Sequence, residues 1–267
     1  MLKNAQSPFH PPLAKDHRCD VLIIGAGITA ALIAHALVAS GMKVCLVDRR
    51  QAGWGSTSAS TALLQYEIDV ELQALARQVG LDDALLAYRA CEQAVRSLTR
   101  LARTFRGVDS RPMRSLYYSS HDSRLRREGA LRRQHGFALE CLERADLQAR
   151  FGLDAGFGLV SEIAAEVDPV QLARSLLDHA LRNGASLFER TCVAELSPTP
   201  RGVTAVLANG RSVPGTSLVL DGTRLLATGD GSHGIYASHG AQVRASDVSV
   251  QVRGANGYGV FAINARH

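Results

Sequence analysis

Apolar residues recur with two rhythms along this chain. Residues 21–24 form a short unbroken apolar run, too brief for a helix and rich in β-branched side chains, which predicts a buried strand. The turn Gly25-Ala26-Gly27 follows, and an apolar segment reaching Ser40 predicts a helix with Gly41 at its C-terminal cap. Residues 43–47 predict a second strand, which ends at an acid, Asp48. Strand, glycine turn, helix, strand and acid, in that order, make the first βαβ unit of a dinucleotide-binding fold. From residue 69 to 105 the period changes to three and four: Leu72, Leu75, Ala76, then Ala84, Leu85, Tyr88, then Val95, Leu98, Leu101. Two helices are predicted there, broken at Gly80, with an aspartate of Leu81-Asp82-Asp83 capping the second. Residues 115–119 predict a strand, 121–134 a basic helix and 138–142 another strand.

Asp168-Pro169-Val170-Gln171 has the composition of a helix start, with a capping aspartate, proline in the first turn and a capping-box glutamine. That helix turns Leu172, Leu176, Leu177 and Leu181 inward and stops at Asn183-Gly184. A strand over 186–188 is predicted to continue through Thr191-Cys192-Val193. A hairpin follows, residues 203–207 and 212–213 joined at Asn209-Gly210, the strongest short hairpin signal.

The glycine turn carries candidate chemistry. Gly25 permits the tight turn, Gly27 lets backbone approach a pyrophosphate, and Ala30 is small enough for the helix to lie close on its strand. The helix N-terminus offers N–H groups and a positive dipole end to phosphates. Asp48, 23 residues after Gly25, is placed to accept ribose hydroxyls. The same stretch has the apolar length of a signal anchor, since between residues 21 and 47 only His35, Lys43 and Cys45 ionise and Lys3, Lys15 and Arg18 precede it. The glycine turn splits that run and no cleavage site follows it, so it reads as a buried strand and helix, with no transmembrane segment.

A chain of 267 residues can hold one or two domains, and its charge of +5 is unevenly placed. Between residues 100 and 133 ten arginines face three acids, Asp109, Asp122 and Glu128. Without interleaved aromatic residues this reads as a solvated helical face with an anion-binding arginine, so no nucleic-acid partner is expected. The five cysteines, at 19, 45, 91, 141 and 192, are odd in number and lack metal or redox spacing. Reduced thiols, a cytoplasmic setting and no metal site are the expectation. Residues 1–18, polar and holding three of the eight prolines, predict a disordered lead-in.

After Asp48 come Arg49-Arg50 and then Gly53-Trp54-Gly55-Ser56-Thr57-Ser58-Ala59-Ser60-Thr61. Such a run suits backbone passing close to a ligand, although hydroxyl residues also serve as ordinary helix caps. Together with Gly25-Ala26-Gly27-Ile28-Thr29-Ala30 and Val47-Asp48-Arg49-Arg50, it resembles the N-terminal half of the D-amino-acid-oxidase-type FAD-dependent oxidoreductases. The resemblance covers about residues 19–213. It implies a Rossmann-like α/β FAD-binding fold with an inserted α+β substrate-domain segment at about 100–165. It also implies FAD as cofactor, held by Gly25, Gly27, Ala30, Asp48, Arg49, Gly55, Ser56, Thr57, Ser60 and Thr61. Residues 61–65 would lie nearest the isoalloxazine, and Val193 would meet the adenine through its backbone. The implied substrate is a small amine, amino acid or hydroxy acid, with hydride transfer to flavin N5. Tyr117 and Tyr118 suit a substrate face or, as alternating strand aromatics, core packing. No catalytic residue can be singled out among so many arginines.

The tail departs from this pattern. The family requires a return strand ending in Ala-Thr-Gly, and residues 225–229 spell one. Yet no Lys or Glu follows residue 201, and nine of the 24 glycines fall between 215 and 267. Residues 223–237 also align with 248–262, Gly229 on Gly254, Gly234 on Gly259 and Tyr236 on Phe261. This glycine-rich β tail, 214–267, resembles the β-helix of a pertactin-type autotransporter passenger, a solenoid in which Ala227-Thr228-Gly229 would be accidental. Under that reading the flavin fold is truncated, and a non-catalytic fused fragment stands as the alternative to an oxidoreductase.

Overall fold

A computed structural model describes residues 10–120, 122–199 and 202–221, followed by five short strands between residues 224 and 263. The chain divides into two compact units, residues 1–60 with 169–267 and residues 61–168. The first opens with β1 (Cys19–Ile24), α1 (Ile28–Val38) and β2 (Val44–Val47). The second holds β3 (Leu63–Gln65), α2 (Leu72–Val79), α3 (Leu81–Thr104), β4 (Ser110–Ser119), α4 (Asp122–Gln134), β5 (Glu140–Glu143), α5 (Arg144–Phe151) and β6 (Phe157–Val167). The first unit resumes with α6 (Pro169–Arg182), β7 (Ser186–Phe188), β8 (Val193–Thr199), β9 (Gly202–Leu207) and β10 (Ser212–Asp221). Last come β11 (Arg224–Thr228), β12 (Ile235–Ser238), β13 (Val243–Ser246), β14 (Ser249–Arg253) and β15 (Val260–Ile263).

In the first unit the main sheet runs β7-β2-β1-β10-β9-β8, with β13 also paired to β10. Strands β7, β2, β1 and β10 are mutually parallel, and Ile24 stands opposite Val47 on one side and Leu220 on the other. Consecutive residues Leu22 and Ile23, and Cys45 to Val47, are fully buried. This is why the strands read as unbroken apolar runs: a parallel strand covered on both faces has no polar side. α1 buries Ala30, Ala31, Ala34 and Val38, and it stops where Gly41, at φ +74°, donates its N–H to Val38 O. The alanine stripe lets α1 lie close to its neighbours, α6 among them, where His35 and His179 meet at 3.1 Å through their Nδ1 atoms. Burial, with the facing His179, holds the His35 ring below its ordinary pKa.

Three expectations are corrected here. The strand that returns beside β1 is neither residues 225–229 nor absent: it is the second arm of the hairpin, β10, antiparallel to β9 at Ser212–Gly215 and then parallel to β1. The predicted arm, 212–213, is the start of a longer strand that changes partner from β9 to β1 at Gly215. Residues 10–18, part of the expected disordered lead-in, pack on this unit: Leu13 is buried in its core and donates its N–H to Thr191 Oγ1, and Ser212 N–H reaches Asp16. Residues 1–9 lie outside the described residues. The strand from 186 does not run through to Val193, because Arg190 adopts φ +48° and separates β7 from β8.

The second unit is an antiparallel sheet, β3-β6-β4 with β5 also on β6. It begins at Thr61 and takes in α2 and α3, whose Leu72 and Tyr88 pack with Tyr66 and Phe137 in its core. Tyr66 and Phe137 stack at 5.7 Å, and Tyr88 stands edge-on to both. β6, the central strand, carried no alternating sequence signal, since nine of its eleven residues are buried. Gly80 takes the N-cap of α3 at φ +91°, so Asp82 and Asp83 fall in the first helical turn rather than capping it. There they still complement the helix dipole. Tyr117 and Tyr118 are exposed, 39% and 49%, so core packing is not their role.

Farther along, β11 pairs with β14 and β12 with β15, each parallel. Arg224 stands opposite Ser249 and Ile235 opposite Val260, an offset of 25 residues in both pairs. Gly229, Gly234, Gly254 and Gly259 of the sequence repeat lie outside the described residues.

Candidate functional site

The strand order places β2 on one side of β1 and β10 on the other, so the chain reverses its direction of progress at β1. A crevice outside the carboxyl ends of parallel strands at such a switch point is where ligands bind in open α/β sheets. Gly25 stands there at φ +113°, a conformation that glycine reaches without Cβ strain, and donates its N–H to Val47 O. Gly27 is the N-cap of α1 in extended conformation, φ −81°, with no side-chain cap of its own and no acid in the first helical turn. Ala30 is fully buried under the helix.

Asp48 holds the next loop against this turn. Its Oδ2 accepts the Ala26 N–H at 2.9 Å and its Oδ1 the Arg50 N–H at 2.7 Å. Two carboxylate oxygens offer about four acceptor directions, so capacity for further donors remains. Thr57, only 3% exposed, accepts the Ile28 N–H at 3.0 Å, satisfying one of the open donors at the start of α1 from a loop 29 residues away. Gly53 N–H bonds Ala26 O at 2.8 Å, so the 53–57 loop is stitched to both sides of the glycine turn. Gly55, at φ +93°, lies under the Arg50 guanidinium, where a Cβ would meet Nη2 at 2.7 Å.

Of the residues singled out from sequence, Asp48 and Thr57 hydrogen-bond to the stretch that holds Gly25, Gly27 and Ala30, and Gly55 lies on the loop that Thr57 ties there. Arg49, Ser56 and Ser60 are exposed on the same stretch. Val193 opens β8 opposite Leu207, following the segment whose Thr191 N–H bonds Asp48 O. Thr61 belongs to the second unit. Glu189 and Thr191 escaped the sequence reading. Both are about 5% exposed, and the Glu189 carboxylate accepts N–H groups from Ala52 at 2.8 Å and His10 at 3.1 Å. A lone glutamate following the apolar strand residues Leu187 and Phe188 was the available signal.

The second unit has its own polar cluster around a cavity of about 250 Å3 lined by Gln65, Glu67, Glu71, Ser115, Tyr117 and Arg132. Arg132, 1% exposed, donates from Nε to Glu128 at 2.6 Å, and Glu128 also accepts the Leu72 and Gln73 N–H groups that open α2. Burial holds the Glu67 carboxyl above the ordinary range, against the pull of Arg132. Burial also works on Glu71, but donors from Arg124, Tyr117 and Gln73 outweigh it and hold this carboxyl below the ordinary range. Part of the arginine-rich stretch is matched by carboxylates: Arg126 with Glu143 and Asp122, Arg114 with Glu162, Arg124 with Glu71.

Among the described residues no helix is long and apolar enough to cross a membrane, no group of three or more His, Cys, Asp or Glu could hold a metal, and the cysteines are free thiols.

A family model described as FAD dependent oxidoreductase matches residues 20–220. A protein of Bacillus subtilis (strain 168), YhfW, provisionally described as a Rieske 2Fe-2S iron-sulfur protein, is 27% identical over 202 residues, covering 73% of this chain and 38% of its own length. Glycine oxidase from Geobacillus kaustophilus superimposes with TM-score 0.64 at 20% identity, over 76% of this chain and 55% of that one. L-proline dehydrogenase from P. horikoshii gives 0.64 at 16%, over 77% and 53%. L-alpha-glycerophosphate oxidase from Mycoplasma pneumoniae, with FAD bound, gives 0.61 at 16%, over 76% and 53%. The chain therefore spans little more than a third of the curated relative and about half of these structures.

Proposed function

The chain belongs to the FAD dependent oxidoreductase family, and from that premise we propose that its first unit binds FAD and serves the oxidation of a small amine, amino acid or hydroxy acid. The observation that carries the reading is the cluster at the carboxyl end of β1. A left-handed Gly25, an α1 N-terminus with no acid in its first turn and its Ile28 N–H met by the Thr57 hydroxyl, and an acid at the end of β2 together form a cradle suited to a diphosphate flanked by a ribose.

In this reading Gly25 and Gly27 admit the diphosphate, and Ala30 keeps α1 close beneath it. Asp48 takes the ribose hydroxyls with its remaining lone pairs, and Arg49 supplies positive charge beside it. Gly55, Ser56, Thr57, Ser60 and Thr61 continue toward the flavin, and the Val193 backbone meets the adenine. When bound, FAD supplies the redox chemistry, acceptance of a hydride at flavin N5 from a carbon bearing an amine or hydroxyl group. The chain's own part is to hold and orient the dinucleotide and to keep water from it. The names of the structural relatives, glycine oxidase, proline dehydrogenase and glycerophosphate oxidase, support both amine and hydroxyl substrates.

A second reading concerns residues 224–263, as two coils of a β-solenoid. It is favoured by the common 25-residue offset of the parallel pairs β11–β14 and β12–β15, which β10–β13 shares. On this reading the tail adds nothing to flavin chemistry.

The test is the flavin itself. Protein purified after expression with riboflavin supplementation should carry the oxidised-flavin absorption, and that band should bleach anaerobically with one of a panel of small amines, amino acids and hydroxy acids. A colourless protein that stays colourless after incubation with FAD would refute the proposal. Flavin that binds but is bleached by none of the panel would leave a binding module without the oxidase function.

A further inference from the structure

We propose that Trp54 forms the cover of the dinucleotide site, its indole packing over the diphosphate stretch of FAD. The inference rests on the FAD-binding reading above and adds a residue to it that neither the glycine motif nor the family likeness supplies.

Trp54 is the only tryptophan in the chain, and it is 57% exposed. Tryptophan is a large apolar side chain that ordinarily buries most of its area. Here it has no hydrogen-bond or ring partner for its indole among the described residues. Its position is nevertheless fixed with care. Gly53 and Gly55 flank it at φ +77° and +93°, conformations in which other residues are strained. Gly53 N–H is tied to Ala26 O, Ala52 N–H to buried Glu189, and Thr57 Oγ1 to Ile28 N–H. Two of these bonds, one on either side of Trp54, end on the glycine turn and the first residue of α1. A side chain between those two tethers lies beside the place where a diphosphate would meet Gly25 to Ile28.

Charge is consistent with that occupant, since Arg49 and Arg50 stand on the same loop and Arg50 lies over Gly55. An exposed indole beside such a cradle is left uncovered by the protein alone and gains contact area when a dinucleotide fills it. Its Nε1–H adds a donor suited to phosphate oxygens, which a phenylalanine would lack.

Because the chain has a single tryptophan, acrylamide quenching of its emission reads the exposure of this one side chain. FAD retention is measured separately by ultrafiltration, which does not depend on tryptophan. Saturating FAD should lower the quenching constant several-fold. ADP, which carries the diphosphate without the flavin, should do the same. Trp54→Ala should raise the FAD dissociation constant about tenfold, as expected for loss of an Nε1–H hydrogen bond to a charged oxygen and of the contact area beside it, and Trp54→Phe should fall between. If FAD is retained but the quenching constant does not move and Trp54→Ala binds within twofold of the parent, the cover is refuted and the FAD reading stands. Protection by FAD but not by ADP would refute the diphosphate placement. Retention of no FAD by any variant would overturn both.

Discussion

Thr57→Val isolates the contact that joins the hydroxyl-rich loop to the start of α1. Valine keeps the shape of threonine and removes only the oxygen that accepts the Ile28 N–H at 3.0 Å. Thr57 is 3% exposed, so water cannot readily replace it. Losing a helix N-terminal acceptor costs about 0.5–2 kcal/mol, and leaving a buried donor unmet costs about 1–3 kcal/mol. Ile28 is only half-buried, so a value near the overlap, about 1.5 kcal/mol, is expected. For a protein of this size that lowers Tm by roughly 3–6 °C. Amide hydrogen exchange gives the sharper reading: the segment containing Ile28 should exchange several-fold faster in Thr57→Val. Thr57→Ser, which keeps the oxygen and loses a methyl, should retain Ile28 protection even if its Tm falls. If Thr57→Val leaves both Tm and Ile28 exchange unchanged, Thr57 does not serve as the remote cap of α1, and the stitching of the loop to the glycine turn is wrong.

Two further outcomes concern the second unit. Arg132→Met should leave Glu128 charged and buried with only the Leu72 and Gln73 N–H groups as partners, costing about 3 kcal/mol in urea unfolding; an unchanged midpoint would show the pair to be dispensable. Glu67→Gln should stabilise the protein at pH 8 and lose that advantage in acid. Burial raises the folded-state pKa of Glu67, so the folded protein holds the proton more tightly than the unfolded chain. The stability linked to it is present below the ordinary carboxylate pKa and is lost as pH rises through the raised value. Thermal unfolding of both proteins across that pH range checks the sign, and a gap that widens toward acid would contradict it.

The first βαβ unit was legible because every one of its signals is local: an apolar run, a turn needing Gly25, small residues and an acid at a fixed distance. Thr57 was legible only as a hydroxyl in a run of hydroxyls. Its actual partner, Ile28, is 29 residues away, and nothing in the local sequence separates a ligand contact from a cap. Glu189 and Thr191 were missed for the same reason, as their partners lie at Ala52, His10, Leu13 and Asp48. β6 was missed because burial on both faces removes alternation. β10 was cut short just where it changes partners from β9 to β1. The disordered lead-in failed at Leu13, an apolar residue among prolines and charges whose burial depends entirely on a sheet assembled from distant segments.

The central claim is that the turn at the carboxyl end of β1 binds FAD, and its most direct measurement is an FAD titration of the chain beside Gly27→Val. Gly27 has φ −81° and ψ −172°, extended backbone that valine adopts readily. The backbone therefore admits valine, at an N-cap cost of about 1 kcal/mol, while a branched side chain is placed where the diphosphate must approach. Saturable binding by the parent, reduced at least a hundredfold in a Gly27→Val protein that still unfolds cooperatively, is the expected result. Equal binding by the two proteins, or no binding by the parent, would contradict the account.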